Sequence, residues 1–416
     1  MDWILIILKV VIPLFIILQL LPLLIWLERK GSAYIQDRPG PNRASIQGIR
    51  VGGLVHSLAD VIKLFFKEEI IPTHVNRPFY LLAPGVALFV ALVTYIVVPF
   101  AEPVVWNGQI YTFQSADLGI GLLYILAMSS LSVYGVMLAG WSSNNKYALL
   151  GGVRSSAQMI SYELSMGLSL MSVIMFSGSF GLNDIVMGQG HKVYTWNFIL
   201  QPVSCFIFII SAFAETNRAP FDLPEGESEL VAGYHVEYSS MKFAAFFMAE
   251  YAHMIMASAM IATLFFGGWQ VPFVATTTLR AHASDILYWG LIGFMVFSFV
   301  VGLLLVLKFR KGKYGDKRDY EVLVFGVPAI LAALAAGALV MRFDASITSP
   351  WAPWIAAGLQ FATFLTKILF FCWIFIWVRW TLPRMRYDQL MGLGWKYLLP
   401  ITMVNVVVYA VAMVFL

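Results

Sequence analysis

Two acidic residues stand inside long runs of apolar residues. Glu163 lies within the run 156–178 and Glu250 within the run 241–267. If these runs are membrane helices, Glu163 lies about 10 Å below the surface, since a helix rises about 1.5 Å per residue. A carboxylate at that depth is costly, and it typically marks a proton or ion path; a purely structural hydrogen bond is the alternative. His253 follows Glu250 by one helical turn and shares its face,.

A second group of acids lies in a polar loop. The segment 215–237 holds six carboxylates and one arginine, and Pro220, Pro224 and Gly226 keep it non-helical,. Glu225, Glu227 and Glu229 occupy alternate positions, so in an extended chain their side chains all point the same way,. Crowding beside lipid should raise some of their pKa values, as a proton relay requires, although a solvated acidic loop is the alternative. With Glu163 and Glu250, the candidates for proton coupling are Asp222, Glu225, Glu227, Glu229 and Glu237.

A third polar group follows the first apolar run. Its segment 37–43 contains a Pro-Gly-Pro sequence, which excludes a helix and predicts an irregular turn,. Charged side chains beside such a turn could shape the mouth of a cavity, while a positively charged anchor with a turn is the alternative. The candidate residues are Glu28, Arg29, Lys30 and Arg38.

The elements that position these residues are predicted to be membrane helices. The chain has 416 residues, of which 60% are hydrophobic and 12% charged, against about a quarter charged in soluble domains. A spanning helix needs about 20 apolar residues, and the runs are too long and unbroken for a β-barrel. The fold class is therefore all-α, a polytopic membrane bundle of about ten transmembrane helices, at 3–27, 79–101, 117–140, 156–178, 198–215, 241–267, 285–307, 322–341, 354–380 and 398–416.

The distribution of Lys and Arg predicts the orientation. Most of them fall in the odd-numbered loops, which indicates that these loops are cytoplasmic and that both termini face the other side,. The cytoplasmic loop 28–78 contains an amphipathic segment between Gly53 and Ile71, which predicts a helix lying along the membrane surface. The acidic loop, taken as 216–240, is also cytoplasmic. Lys311 and Arg342 are expected on opposite sides.

Other residues carry less information. Cys205 and Cys372 are isolated in apolar runs and are interpreted as packing residues; two cysteines alone form neither a zinc site nor a cluster site,. Lys9 is expected to reach outward to the interface. Lys367 lies in the middle of a predicted span and requires a buried partner or a neutral form. The composition gives no indication of nucleic-acid binding.

Six sequence segments, in the same order, resemble the H-type membrane subunit (subunit 1 in mitochondria) of respiratory complex I, the proton-pumping NADH:quinone oxidoreductase. They are LERK at 27–30, DRPGPNR at 37–43, ADVIKL at 59–64, ETNRAPFDLPE at 215–225, GYHVEY at 233–238 and RWTLPRMRYDQLM at 379–391. These segments indicate a resemblance over about residues 1–270 and 354–416.

The resemblance implies a role in quinone chemistry. It implies that Glu28, Arg29, Lys30, Arg38 and Asp60 lie at a quinone chamber, and that Asp222, Glu225, Glu227 and Glu229 lie in an acidic loop below the quinone head. It implies that Glu163 and Glu250 belong to an acidic path toward pumping subunits. Quinone would be the substrate, the iron–sulfur cluster would belong to a peripheral-arm partner, and this chain would hold no redox centre of its own.

One departure from the family pattern is expected. Members of this family usually have eight spanning helices, so the segment 272–353, with two apolar runs, is interpreted as an insertion. An even number of added helices preserves the facing of everything downstream. The resemblance also implies other complex I subunits as partners, including antiporter-like and small membrane subunits, in a bacterial inner membrane.

Three alternative functions are weighed against this one. The homologous subunit of a membrane-bound hydrogenase or formate hydrogenlyase has a similar architecture but no quinone, and the full acidic loop favours the quinone type. An ion-coupled transporter is expected to show an internal repeat, and none is evident. A passive anchor is disfavoured by the buried carboxylates. The sequence does not distinguish ubiquinone from menaquinone.

Overall fold

The computed structural model describes residues 2–223, 226, 231–310, 320–342 and 349–415. This part of the chain is almost entirely helical, with one antiparallel hairpin of β1 (Val104–Trp106) and β2 (Gln109–Tyr111). The helices are α1 (Asp2–Ile35), α2 (Val55–Phe66), α3 (Arg77–Val93), α4 (Gly121–Ser142), α5 (Lys146–Ser177), α6 (Leu182–Gln189), α7 (Asn197–Leu200), α8 (Pro202–Glu215), α9 (Ser240–Phe265), α10 (Thr276–Ala281), α11 (Ala283–Arg310), α12 (Tyr320–Met341), α13 (Ala352–Thr381), α14 (Tyr387–Gly392) and α15 (Leu399–Phe415).

Nine helices in the described ranges are long and apolar enough to cross a membrane. The last of them joins α14 and α15 through a π-helical segment, Leu393–Leu398. The prediction of an all-α polytopic membrane protein is confirmed.

The predicted span 198–215 is a broken, shorter helix. It divides at Gln201 into α7 and α8, and Pro202 begins α8, where its missing N–H leaves no bond unmade,. The 14 residues of α8 reach about 21 Å, less than the roughly 30 Å of a bilayer core. The helix is instead fixed by its neighbours: Ser204 lies 2.6 Å from the Ser172 hydroxyl of α5 and accepts a bond from Asn405 of α15 at 2.7 Å.

Small residues bring α4 and α5 close together. A Cβ on Gly140 would lie 2.6 Å from the carbonyl oxygen of Ala148, so only glycine permits this approach,. Gly151 is similarly close to Gly233, which holds the segment after the acidic loop against α5. The residues that precede α9 are thereby packed against the membrane bundle.

Two ion pairs show the direction in which α11 and α12 run across the bundle. At one end, Arg280 of α10 lies 3.3 Å from Glu102, which precedes β1. At the other end, Glu321 of α12 lies 3.2 Å from Arg50 of the first loop. The chain therefore crosses between these levels in α11 and returns in α12. Lys311 lies outside the described residues.

The first loop contains the surface helix α2, which is shorter than the predicted amphipathic segment. Ser57 of α2 donates a hydrogen bond to the carbonyl of Pro22 in α1 at 3.0 Å. The apolar side chains on its other side are largely exposed in the isolated chain, namely Leu58, Val61, Ile62 and Phe65. Such a face is suited to lie against lipid.

Candidate functional site

A cluster of opposite charges lies where α1, α9, α13 and the segment after α8 meet. Arg218 donates through Nη1 to Glu28 Oε2 at 2.7 Å, and its Nε lies 2.5 Å from Glu250 Oε1. Arg379 donates through Nη1 to Glu28 Oε1 at 2.6 Å. The hydroxyl of Tyr251 also donates to Glu28 Oε2, at 2.7 Å. The site thus joins residues that are almost the whole chain apart in sequence.

The buried cluster is balanced in charge but not fully hydrogen-bonded. Two arginines face two carboxylates, and only 1% of the Arg218 side chain is exposed. The Arg218 guanidinium stacks on Tyr251, 4.1 Å from the ring centre,. Among the described residues its Nη2 has no hydrogen-bond acceptor, and the close Nε contact with Glu250 lacks hydrogen-bond geometry. Buried ion pairs with unmet bonding capacity are sensitive to small changes of charge nearby.

Two small cavities continue from Glu250 into the bundle. One, of about 40 Å³, is lined by polar groups that include Glu250, His253 and Glu215. A second cavity of about 40 Å³ shares His253 and Glu215 and adds Thr94 and Ser129. A water molecule requires about 10–15 Å³ of such space together with polar partners. Each cavity can therefore hold a few water molecules, and those in the first would lie between Glu250 and Glu215.

Glu163 lies close enough to Glu215 for their charges to interact. It accepts a hydrogen bond from the Ser130 hydroxyl of α4, and Glu215 interacts with Glu163 by like-charge repulsion. The acids Glu250, Glu215 and Glu163 thus form a series across α9, α8 and α5.

Asp222 lies at the loop end of the buried cluster. It accepts a hydrogen bond from Arg384 Nη2 at 2.9 Å, and its Oδ1 is buried without a partner. Burial raises the pKa of Asp222 despite the opposing effect of Arg384. Asp222 is therefore easier to protonate than an ordinary aspartate. Glu225, Glu227 and Glu229 lie outside the described residues.

A larger, open cavity lies beside the first loop. It has a volume of about 410 Å³ and is lined by Arg29, Ser32, Ala33, Arg38, Pro39, Gly40 and Pro41. Arg29 pairs with Asp60 of α2, and Lys30 Nζ donates to the carbonyl of Pro39 at 2.8 Å. Four of the five predicted chamber residues lie at this cavity: Arg29 and Arg38 line it, and Lys30 and Asp60 contact its walls. The fifth, Glu28, points into the buried cluster instead.

Glu237 lies apart from these acids. Its Oε1 accepts from Asn145 Nδ2 at 2.8 Å and lies 3.8 Å from His74 Nε2. Nearby His235 packs against the rings of Tyr234 and Phe243, and burial lowers its pKa to about 4.

Lys9 and Lys367, which the sequence placed inside predicted spans, both have polar partners. Lys367 Nζ donates to the carbonyls of Phe266, Gly268 and Gln270, each at 2.8 Å. These carbonyls follow the end of α9, where the helix dipole favours a cation. Lys9 Nζ reaches the hydroxyl of Thr112, just after β2, at 2.9 Å.

The sequence did not predict that several other residues belong to the buried cluster and its cavities. Arg379 contributed only its charge, which helps to set the orientation, and Tyr251 did not stand out. Arg218 is the one arginine among six carboxylates in 215–237, which was the available signal for a pairing role. Glu215 stood at the end of an apolar run, and only the fold shows that it faces His253 and Glu163.

Comparison with known proteins agrees with the resemblance of the sequence segments. A family model described as NADH dehydrogenase matches residues 8–314 and 320–410. An H-type subunit of NADH-quinone oxidoreductase from Solibacter usitatus is 46% identical, covering 94% of this chain and 92% of that protein. The H-type subunit from Salinibacter ruber is 42% identical, covering 94% of this chain and 91% of that protein. NADH-quinone oxidoreductase subunit 8 of Rhodothermus marinus is 43% identical, covering 93% of this chain and 91% of that protein.

The family match extends further than the sequence segments indicated. Its two ranges run through α11 and α12, whereas the expected resemblance stopped near residue 270 and resumed near 354. The helices in 272–353 are therefore matched by the family model and are not peculiar to this chain. The chain belongs to the NADH dehydrogenase family and is similar throughout to the H-type subunit of NADH-quinone oxidoreductase.

Proposed function

We propose that this subunit forms the membrane side of a quinone-binding chamber and links quinone reduction to proton translocation through its buried carboxylates. The observation that carries the proposal is the buried cluster of Glu28, Arg218, Arg379 and Glu250. Glu28 directly precedes Arg29, which lines the open cavity, and Glu250 lines the first small cavity. The cluster therefore stands between a space that suits a ligand and spaces that suit water.

Reduction of a quinone to a quinol takes up two electrons and two protons. We propose that the electrons come from an iron–sulfur cluster of a partner subunit, and that the head of the quinone lies near the acidic loop. Proton uptake there changes the charge that Asp222 and the buried cluster experience. Closely spaced carboxylates titrate as a group, and the permanently charged arginines beside them bias that titration, so the whole set responds.

The series Glu250, Glu215 and Glu163 would carry this response onward. Water in the small cavities would connect Glu250 to Glu215, with His253 between them as a further proton acceptor. Glu225, Glu227 and Glu229 would supply more protonatable groups at the loop. Ionisable groups inside membrane helices most often serve proton or ion movement, which supports this assignment.

The surrounding assembly follows from the same proposal. The partners would be the peripheral-arm iron–sulfur and quinone-site subunits, the small membrane subunits and the antiporter-like subunits. The first loop and the acidic loop would face the cytoplasm of a bacterium, with both termini on the other side of its inner membrane. All three relatives described above are named for NADH-quinone oxidoreductase, and nothing in the described part of the chain favours a hydrogenase subunit.

Replacement of Arg38 by Ala tests the quinone assignment. Removing a charged wall residue should lower quinone reductase activity of membranes by roughly tenfold, equivalent to about 1.4 kcal/mol. NADH oxidation with an artificial acceptor, which uses only the peripheral arm, should persist. Arg77→Ala, at an exposed arginine of the same loop outside the cavity, is the control. Equal loss of both activities with normal assembly, or no loss at all, would argue against the chamber.

A further inference from the structure

We infer that the helix pair α11–α12 holds the mouth of the open cavity in shape through Glu321, and thereby governs access for quinones with long isoprenoid tails. The inference rests on the proposed quinone chamber and adds a positioning role for helices to which that proposal gives none. It concerns the side of the cavity that faces the membrane surface.

Glu321 makes two contacts with the first loop. Its Oε2 lies 3.2 Å from Arg50 Nε, and its Oε1 accepts the backbone N–H of Gly52 at 3.4 Å. Both charged side chains are mostly buried, with 11% of Arg50 and 14% of Glu321 exposed. This pair is therefore less screened than a surface ion pair and can hold the loop to α12.

The turn that Glu321 holds forms part of the cavity wall. Gly52 and Gly53 both have positive φ, and a Cβ on Gly53 would lie 2.1 Å from the carbonyl oxygen of Pro41. The turn backbone thus packs directly on Pro41, which lines the open cavity. On its other side, the carbonyl of Gly52 accepts a bond from Trp26 Nε1 of α1 at 3.2 Å.

The same turn leads into the opposite wall. Residues 51–53 run directly into α2, whose Asp60 pairs with Arg29 of the cavity lining. Movement of the turn would therefore shift both Pro41 and the Asp60–Arg29 pair. The contacts of Glu321 with Arg50 and Gly52 can in this way control the width of the cavity mouth.

The helix pair is rigid enough for this role. α11 and α12 approach closely at two glycines, since a Cβ on Gly302 would lie 2.9 Å from the carbonyl oxygen of Gly326. At the far end, the Arg280–Glu102 pair fixes α10, which leads into α11. The pair is thus fixed at both ends, and Glu321 is its contact with the first loop.

The exposed side chains near the Arg50–Glu321 ion pair suit contact with an isoprenoid chain. Val324 and Phe325, within one turn of Glu321, are exposed, as are Leu58 and Phe65 of α2. They would leave an apolar approach at the membrane surface, where a quinone tail must remain while its head enters the polar cavity. A quinone without a tail would not depend on this approach.

The test uses the purified complex in liposomes with two substrates, a quinone with a long isoprenoid tail and a water-soluble quinone with none. Glu321→Gln should raise KM for the long-tailed quinone about fivefold, the scale of one partly buried ion pair. The kcat and the KM for the tail-less quinone should not change. Arg50→Gln should also raise this KM, and the double variant should show less than the sum of the two effects, because both variants remove the same ion pair.

Asp285→Asn is the matched control, since it removes an exposed carboxylate from the other end of α11. Equal KM increases for both quinones, purely additive effects of the two variants, or no change for the long-tailed quinone would each overturn the inference. If Arg38→Ala lowers quinone reduction while Glu321→Gln does nothing, only the inference fails. If Arg38→Ala also has no effect, the proposed quinone chamber fails as well.

Discussion

Arg218 is the residue on which the buried cluster depends. It contacts both Glu28 and Glu250, whereas among the described carboxylates Arg379 pairs with Glu28. Its side chain is fully enclosed, so the two carboxylates cannot compensate its loss with water from outside. Lysine is a poor substitute, because a single ammonium group lacks the planar fork that reaches both partners.

We predict that Arg218→Gln destabilises the subunit by about 3–5 kcal/mol, the typical cost of removing one partner from a buried ion pair. The unfolding temperature of the purified complex and its quinone reductase rate should both fall, and Arg218→Lys should recover only part of each. The control is Arg342→Gln at an exposed arginine. Wild-type stability and activity in Arg218→Gln would contradict a central role for this residue.

His235 predicts a specific dependence of stability on pH. Its pKa is lowered by burial from 6.5 to about 4. The unfolded chain takes up a proton as the pH falls through 6.5, whereas the folded chain does not until about 4. Folding stability must therefore decrease with acidification in this window.

This dependence can be measured by unfolding the purified complex at a series of pH values. His235→Gln does not titrate, so its stability should fall less steeply between pH 6.5 and 4. His282→Gln, at an exposed histidine, should keep the wild-type slope. An unchanged slope in His235→Gln would show that this group does not titrate as described.

The sequence predicted individual acids better than their partners. Glu163 and Glu250 were recognisable because a carboxylate in an apolar run is exceptional. The pairing of Glu28 with Arg218 and Arg379 joins positions 190 and 351 residues apart. No local pattern encodes such a pairing, since it depends on how α1, α9 and α13 pack.

At the scale of elements, apolar runs predicted the helices because each span must satisfy its own backbone hydrogen bonds in lipid. Where helix length is set by neighbours instead, the prediction was less accurate. The run 198–215 breaks at Gln201, which directly precedes Pro202, and α8 is held by α5 and α15 through Ser204,. The amphipathic segment ends as a helix at Phe66, earlier than its charge pattern indicated.

The placement of α11 and α12 predicts which side of the membrane their ends face. The Arg50–Glu321 pair puts the start of α12 at the level of the first loop, and α12 then crosses to Arg342. Cysteines replacing Lys311 and Arg342 should therefore react with impermeant reagents from opposite sides of sealed vesicles. A cysteine at Lys67, in the first loop, should label from the same side as position 311. Labelling of 311 and 342 from one side would refute the crossing of the membrane by α12.

At the scale of the whole molecule, charged and polar groups form one continuous series. It begins at the open cavity beside Arg38, passes through the Glu28–Arg218–Glu250 cluster, and continues past His253 and Glu215 to Glu163. Much of the described core around this series is apolar. A lipid-embedded protein has no stability reason to assemble so many ionisable groups, which supports their use in proton movement.

If these buried carboxylates couple quinone reduction to proton translocation, as proposed, both processes should depend on an exchangeable proton at Glu215, which Glu215→Gln removes. Glutamine keeps the size of the side chain that lines both small cavities but cannot exchange a proton. The measurement is the quinone reduction rate together with the number of protons translocated per electron, in proteoliposomes containing the assembled complex. Glu68→Gln, at an exposed glutamate, is the control. We predict that Glu215→Gln loses quinone reduction and proton translocation together, because tight coupling does not allow one without the other. An unchanged rate with unchanged stoichiometry would contradict the account.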